Sequence, residues 1–153
     1  MSLDALYQEI ILDHNRRPRN FHAMADADRK IEGHNPLCGD QITVWVKLAG
    51  DRIADVSFLG TGCAVSKASA SMMTAAVKDH TVAEAQALYR RVHDLVTGKA
   101  DVNAERETLG PLAALSGVSA FPIRVKCASL PWHALRAALE GEGAERAVST
   151  EAE

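Results

Sequence analysis

The sequence predicts an α+β fold, a small three-stranded antiparallel sheet packed by helices, on three observations. Apolar residues alternate with polar ones between about residues 31 and 59, the period of half-buried strands. They recur at helical spacing after residue 63. A single amphipathic helix precedes the strands. Aromatic residues are 5% of the chain, so the core has to rely on Leu, Val, Ile and Ala.

The first helix is carried by Leu3, Leu6, Tyr7, Ile10, Ile11 and His14 at i, i+3, i+4, i+7 spacing, and Pro18 ends it. Residues 21–29 lack a period and read as loop. The segment around Ile31 is a candidate strand before the first cysteine. Ile42, Val44, Val46 and Leu48 alternate with Thr43, Trp45 and Lys47 on the next. Ala49-Gly50-Asp51-Arg52 supplies a turn into a strand bearing Ile53, Val56, Phe58 and Leu59.

After Gly62-Cys63, the residues Val65, Ala68, Met72, Ala75 and Ala76 form one helical face. Thr81-Val82-Ala83-Glu84 has the form of a capping box, opening a helix through Leu88, Val92, Leu95 and Val96 that Gly98 stops. Residues 99–108 are polar and read as an exposed loop, and Leu109–Leu115 as a short helix. Pro122 and Pro131 bracket the third cysteine, and Leu135, Ala138 and Leu139 mark a last helix. Residues 1–140 are expected to form a single domain and 141–153, rich in Gly, Glu, Ala, Ser and Thr, a disordered tail.

At 153 residues the chain suffices for one core. Its net charge of −3 argues against nucleic acid as a main ligand. Arg16-Arg17-Pro18-Arg19 is a local exception, read either as solvated charge at a helix end or as a docking patch for an acidic partner. Asp4 and Glu9 interrupt the apolar positions of the N-terminal segment, unlike a signal-peptide core, and no apolar run reaches the length of a membrane span. With an odd number of cysteines, the expectation is a cytoplasmic protein with reduced thiols and no membrane or nucleic-acid partner.

Those cysteines carry the chemistry. Cys38 lies in a Pro/Gly-flanked turn, two residues before Asp40. Cys63 stands where a Gly-rich turn meets a helix start, whose free amides and dipole favour a thiolate. Cys127 follows Arg124 and Lys126, whose charges favour one too. A lone cysteine is commonly a buried apolar residue. Three cysteines that each favour thiolate, with a carboxylate beside the first, instead suggest a four-ligand zinc shell or a partial cradle for an iron–sulfur centre. No C-x2-C pair is present, however. Asp40 is the economical fourth ligand, while His34 and His133 are alternatives. Three thiolates and a carboxylate around Zn²⁺ are net anionic, and Arg124 and Lys126 are placed in sequence to offset that charge.

Asn35-Pro36-Leu37-Cys38-Gly39-Asp40, Gly60-Thr61-Gly62-Cys63, the run Ser66–Met73, and Asp13-His14 followed by Pro18-Arg19-Asn20 together resemble the IscU/NifU-like iron–sulfur assembly proteins. Lys126, where scaffold-type members have a histidine, and the long interval between Cys63 and Cys127 resemble the SufU branch. The resemblance implies a SufE/NifU-like fold and Zn²⁺ held by Cys38, Asp40, Cys63 and Cys127. It further implies transfer of persulfide sulfur from a PLP-dependent cysteine desulfurase of the SufS type toward downstream iron–sulfur scaffold proteins. Cys38, whose loop can swing, is expected to be the accepting thiolate, displaced from zinc by a histidine of the desulfurase. Arg124 is expected to shield charge during transfer. The alternatives are a scaffold that carries a transient [2Fe–2S] cluster on the same ligands, and a non-catalytic zinc-stabilised adaptor.

Overall fold

The computed structural model describes residues 3–140 and 145–149. Helix α1 (Leu3–Arg16) is followed by β1 (Arg29–Asn35), β2 (Asp40–Ala49) and β3 (Arg52–Thr61), which form the predicted antiparallel meander. The segment 21–28 lacks a named element, as its missing period suggests. Helices α2 (Ala64–Val77) and α3 (Val82–Val96) come next. Thr81 caps α3 through the complete box with Glu84.

The central strands bury one face. Ile31, Gly33 and Asn35 of β1 point inward, as do Asp40, Ile42, Val44 and Val46 of β2. This inner face meets Ala68, Met72 and Met73 of α2 and Leu130, Ala134 and Leu135 of α5 (Pro122–Glu140) in one core. The period that buries the Ile and Val side chains therefore also buries Asn35 and Asp40 at the strand ends. Gly33 allows α5 to lie close to the sheet: a Cβ there would stand 2.9 Å from Ile42 Cγ2 and 3.0 Å from Leu130 Cδ1.

Three segments differ from the sequence expectation. Within the polar stretch 99–108, Val102–Leu109 forms helix α4, with Glu105 ion-paired to Arg91 at 3.3 Å. A 3₁₀ helix (Gly110–Val118) follows, where a short helix is expected. Polar composition hid α4 because its support comes from neighbouring elements. The third cysteine lies inside a continuous α5: Pro122 starts the helix, where its missing N–H costs nothing, and Pro131 is accommodated in its interior. Finally, Glu145–Ser149, in the segment expected to be disordered, forms β4. It runs parallel to β1, from Lys30↔Glu145 to His34↔Ser149, giving the order β3-β2-β1-β4. The open edge of β1 offers backbone groups that an extended segment can pair with, a possibility that composition does not reveal. Residues 141–144 and 150–153 of that tail lie outside the described residues. Among the described residues no helix is long and apolar enough to cross a membrane.

Candidate metal centre

The register of the sheet builds the site. Asn35 pairs directly with Asp40 across the β1–β2 hairpin, so Pro36-Leu37-Cys38-Gly39 form its loop, with Gly39 at φ +70°. Gln41 pairs with Thr61, which brings the end of β3 beside the same corner. There Gly62 takes φ +133°, and a Cβ on it would lie 2.8 Å from Asp40 Cα and run into the carboxylate. The turn therefore requires glycine both for its backbone and for its space. It delivers Cys63 as the N-cap of α2, and Ser66 N donates to Cys63 Sγ at 3.5 Å.

Cys127 comes from the first half of α5 and is buried. Its Sγ lies 3.2 Å from Cys38 Sγ. One donor atom each from Cys38, Asp40 and Cys127 falls within 4.8 Å of the others. Cys63 is outside that tightest group, yet its Sγ is 3.8 Å from Asp40 Oδ2. Ligands of a tetrahedral zinc stand about 3.3–3.8 Å apart, so Cys38, Asp40 and Cys127 are spaced closely enough to share a small soft ion. Cys38 and Cys63 are half-buried and all three cysteines are free.

The electrostatics fit the same ion. Asp40 is fully buried; its Oδ1 accepts from Cys63 N at 2.7 Å and its Oδ2 from Asn35 Nδ2 at 3.2 Å. Among the described residues no cation forms an ion pair with it. The neighbouring Cys127 thiol brings the Cys63 thiol down to about 7, helped by the amides of Ser66 and Val65 and opposed by burial and Asp40. The neighbouring Cys63 thiol pushes the Cys127 thiol up, and burial, Cys38 and Asp40 push it the same way. A buried carboxylate that pairs with no cation among the described residues, beside a thiol of lowered pKa, forms a donor set that a divalent metal would satisfy. Zinc or an iron–sulfur unit would both suit these ligands.

Arg124 is exposed on the first turn of α5, three residues before Cys127. Burial raises the pKa of Tyr7, Arg124 pulls it down, and Cys63 and Cys127 add to the rise. Lys126 is half-buried. Neither alternative histidine joins the cluster. His34 is exposed on the opposite face of β1 from Asn35, and His133 hydrogen-bonds Tyr89 Oη through Nδ1 at 3.0 Å. One residue without a role on sequence grounds proves central, Asn35, which donates to Asp40 and Cys127. The inward phase of Ile31, Gly33 and Asn35 was the available signal for it.

Large apolar side chains stay exposed near the cysteines in the chain: Leu37 beside Cys38, and Phe121 and Ile123 at the start of α5.

The fold and this corner define a class: an α+β protein with a thiol–carboxylate cluster able to hold a metal ion at the end of its sheet. The chain belongs to the family of the NifU-like N terminal domain, whose model matches residues 6–128. It is 42% identical over 134 residues to the zinc-dependent sulfurtransferase SufU of Bacillus subtilis (strain 168), covering 88% of this chain and 89% of that protein. It is 40% identical over 138 residues to the iron–sulfur cluster assembly scaffold protein IscU of Streptococcus pyogenes serotype M1, covering 90% and 85%. Among solved structures it resembles one from Fervidobacterium islandicum AW-1, described as an iron–sulfur cluster assembly scaffold protein for the SUF system. That match has TM-score 0.81 and 34% identity, and covers 88% of this chain and 97% of the other.

Proposed function

We propose that this protein is a zinc-dependent sulfurtransferase that accepts persulfide sulfur on Cys38 from a SufS-type, PLP-dependent cysteine desulfurase and passes it toward iron–sulfur cluster assembly in the cytoplasm. The observation that carries the reading is Cys38 itself, a half-buried thiol on a hairpin loop at the cluster, whose partners Asp40 and Cys127 are fixed in the buried frame. The likeness to a protein named a zinc-dependent sulfurtransferase supports it. Cys38, Asp40, Cys63 and Cys127 would hold the ion. Bound zinc would act as a Lewis acid that keeps its thiol ligands deprotonated at neutral pH.

The transfer conserves electrons. The Cys38 thiolate attacks the terminal sulfur of the desulfurase persulfide, a new S–S bond forms on Cys38, and the desulfurase S–S bond breaks. The desulfurase cysteine leaves as thiolate, and the persulfide proton stays with the moved sulfur. Leu37, Phe121 and Ile123 offer apolar surface for the docked partner. Arg124 stabilises negative charge as it passes between the two thiols.

The test is cysteine turnover by such a desulfurase with and without this protein. Wild type should raise turnover and Cys38→Ala should not; equal stimulation by both would sink the reading. A second reading, assembly of a [2Fe–2S] cluster on the same ligands, is favoured by the likeness to proteins named scaffolds. Protein purified without oxygen decides between them. One tightly held zinc and no visible absorption support sulfur transfer, whereas iron, acid-labile sulfide and a brown colour support the scaffold.

A further inference from the structure

The three thiols differ in what donates to them. Cys63 Sγ accepts from Ser66 N at 3.5 Å, and Cys127 Sγ accepts from the Asn35 side-chain amide at 3.5 Å. Cys38 accepts no N–H among the described residues, and its Sγ meets the Cys127 thiol at 3.2 Å. Hydrogen bonds to a metal-bound sulfur draw electron density from it, hold it in the shell and weaken it as a nucleophile. We propose that Asn35 is the positioning residue that selects which cysteine receives sulfur, restraining Cys127 and Asp40 so that Cys38 is the thiolate free to react.

The geometry of Asn35 is determined on both sides of its amide. Pro36 has no N–H, so the first donor of the cysteine loop is Leu37 N, and it binds Asn35 Oδ1 at 3.3 Å. With the oxygen so engaged, Nδ2 must face the cluster. Its two hydrogens suffice for two acceptors, Asp40 Oδ2 at 3.2 Å and Cys127 Sγ at 3.5 Å. The side chain is fully buried, and its cross-strand pairing with Asp40 prevents it from following the loop. Asn35 thus divides the centre into a restrained part, Asp40, Cys127 and the Leu37 amide, and Cys38 beyond it, to which Asn35 donates nothing. This role rests on the reading that Cys38 accepts the sulfur.

The test uses full-length zinc-loaded protein as wild type, Asn35→Ala and Asn35→Asp. The two variants share only the loss of the amide donor: alanine leaves a cavity without added charge, and aspartate adds charge without a cavity and keeps an acceptor for Leu37 N. Each is treated with limiting iodoacetamide, and labelling at each cysteine is read by peptide mass mapping. Wild type should label at Cys38 ahead of Cys127. In both variants the Cys127-to-Cys38 ratio should rise severalfold, and zinc affinity should fall roughly tenfold. In cobalt-substituted protein, which reports sulfur donation directly, the sulfur-to-metal charge-transfer band should move to longer wavelength.

An unchanged labelling ratio in either variant, or a proportional rise at all three cysteines, would overturn the role of Asn35. The parent reading fails separately, if Cys38→Ala stimulates the desulfurase as well as wild type does.

Discussion

Helix α5 passes through two buried polar clusters that solve opposite problems. At its first half, Cys127 joins Cys38, Cys63 and Asp40, where acceptors gather and no cation pairs with the carboxylate among the described residues. Two turns later, His133 packs against Tyr89 and His93 of α3. There the phenol bridges His133 Nδ1 at 3.0 Å and Arg136 Nη1 at 3.1 Å, and the guanidinium lies over the Tyr89 ring. In the second cluster Tyr89, His133 and Arg136 find partners in one another, while His93 Nδ1 is buried without a hydrogen bond among the described residues, so the cluster functions as a brace between α3 and α5. The first is left with a surplus of electron pairs directed at one point. Burial alone does not distinguish a binding centre from a structural contact; the balance of donors and acceptors does.

The sharpest way to break this contrast is to remove a donor from the first cluster. Asp40→Ala should lower zinc affinity by more than the roughly 10–100-fold that loss of an outer-shell partner costs. Competition against a chromophoric chelator measures it. His133→Gln, made in the second cluster, should leave that affinity unchanged. Equal losses in both variants would mean that the two ends of α5 are one cooperative unit.

The next effect belongs to the brace and depends on pH. Burial, with Arg136 and His93 adding to it, depresses His133 from 6.5 to about 4. The folded state then binds fewer protons than the unfolded state between these values, so stability is full above about pH 6.5 and declines as pH falls toward 4. The loss across that window is about 3 kcal/mol. Urea unfolding at a series of pH values should show it in wild type, and His133→Gln should flatten the slope. A slope that persists in the variant would assign the effect to another group.

The smallest effect separates the brace from its histidine. Tyr89→Phe removes the hydroxyl shared by His133 and Arg136 and should cost about 1 kcal/mol in denaturant unfolding, with zinc content unchanged. A loss of zinc on this substitution would contradict the independence of the two clusters.

Sequence pattern foretold the meander because Ile42, Val44 and Val46 alternate cleanly, and it foretold α3 because Thr81 and Glu84 form a full box. It failed for α4, whose residues lack a strong apolar face and depend on neighbours for support, and for β4, which uses the free edge of another strand. Cys38, Asp40 and Cys127 were legible as candidates because each sits in a turn or charged context that favours an anion. Asn35 carried no such mark. Its function arises from the pairing with Asp40 and from the approach of α5 over Gly33, and both are relations between distant segments.

The pairing of Asn35 with Asp40 also links the metal centre to the history of the folding chain. A slip of one residue between β1 and β2 would turn both side chains to the opposite face and scatter the donor set. A chain in the wrong register would therefore have nothing to offer the ion, while a correctly paired one would be selectively stabilised by it. Metal capture at this corner would act as a proofreading step, one that rewards only the molecules whose hairpin has closed in this alignment.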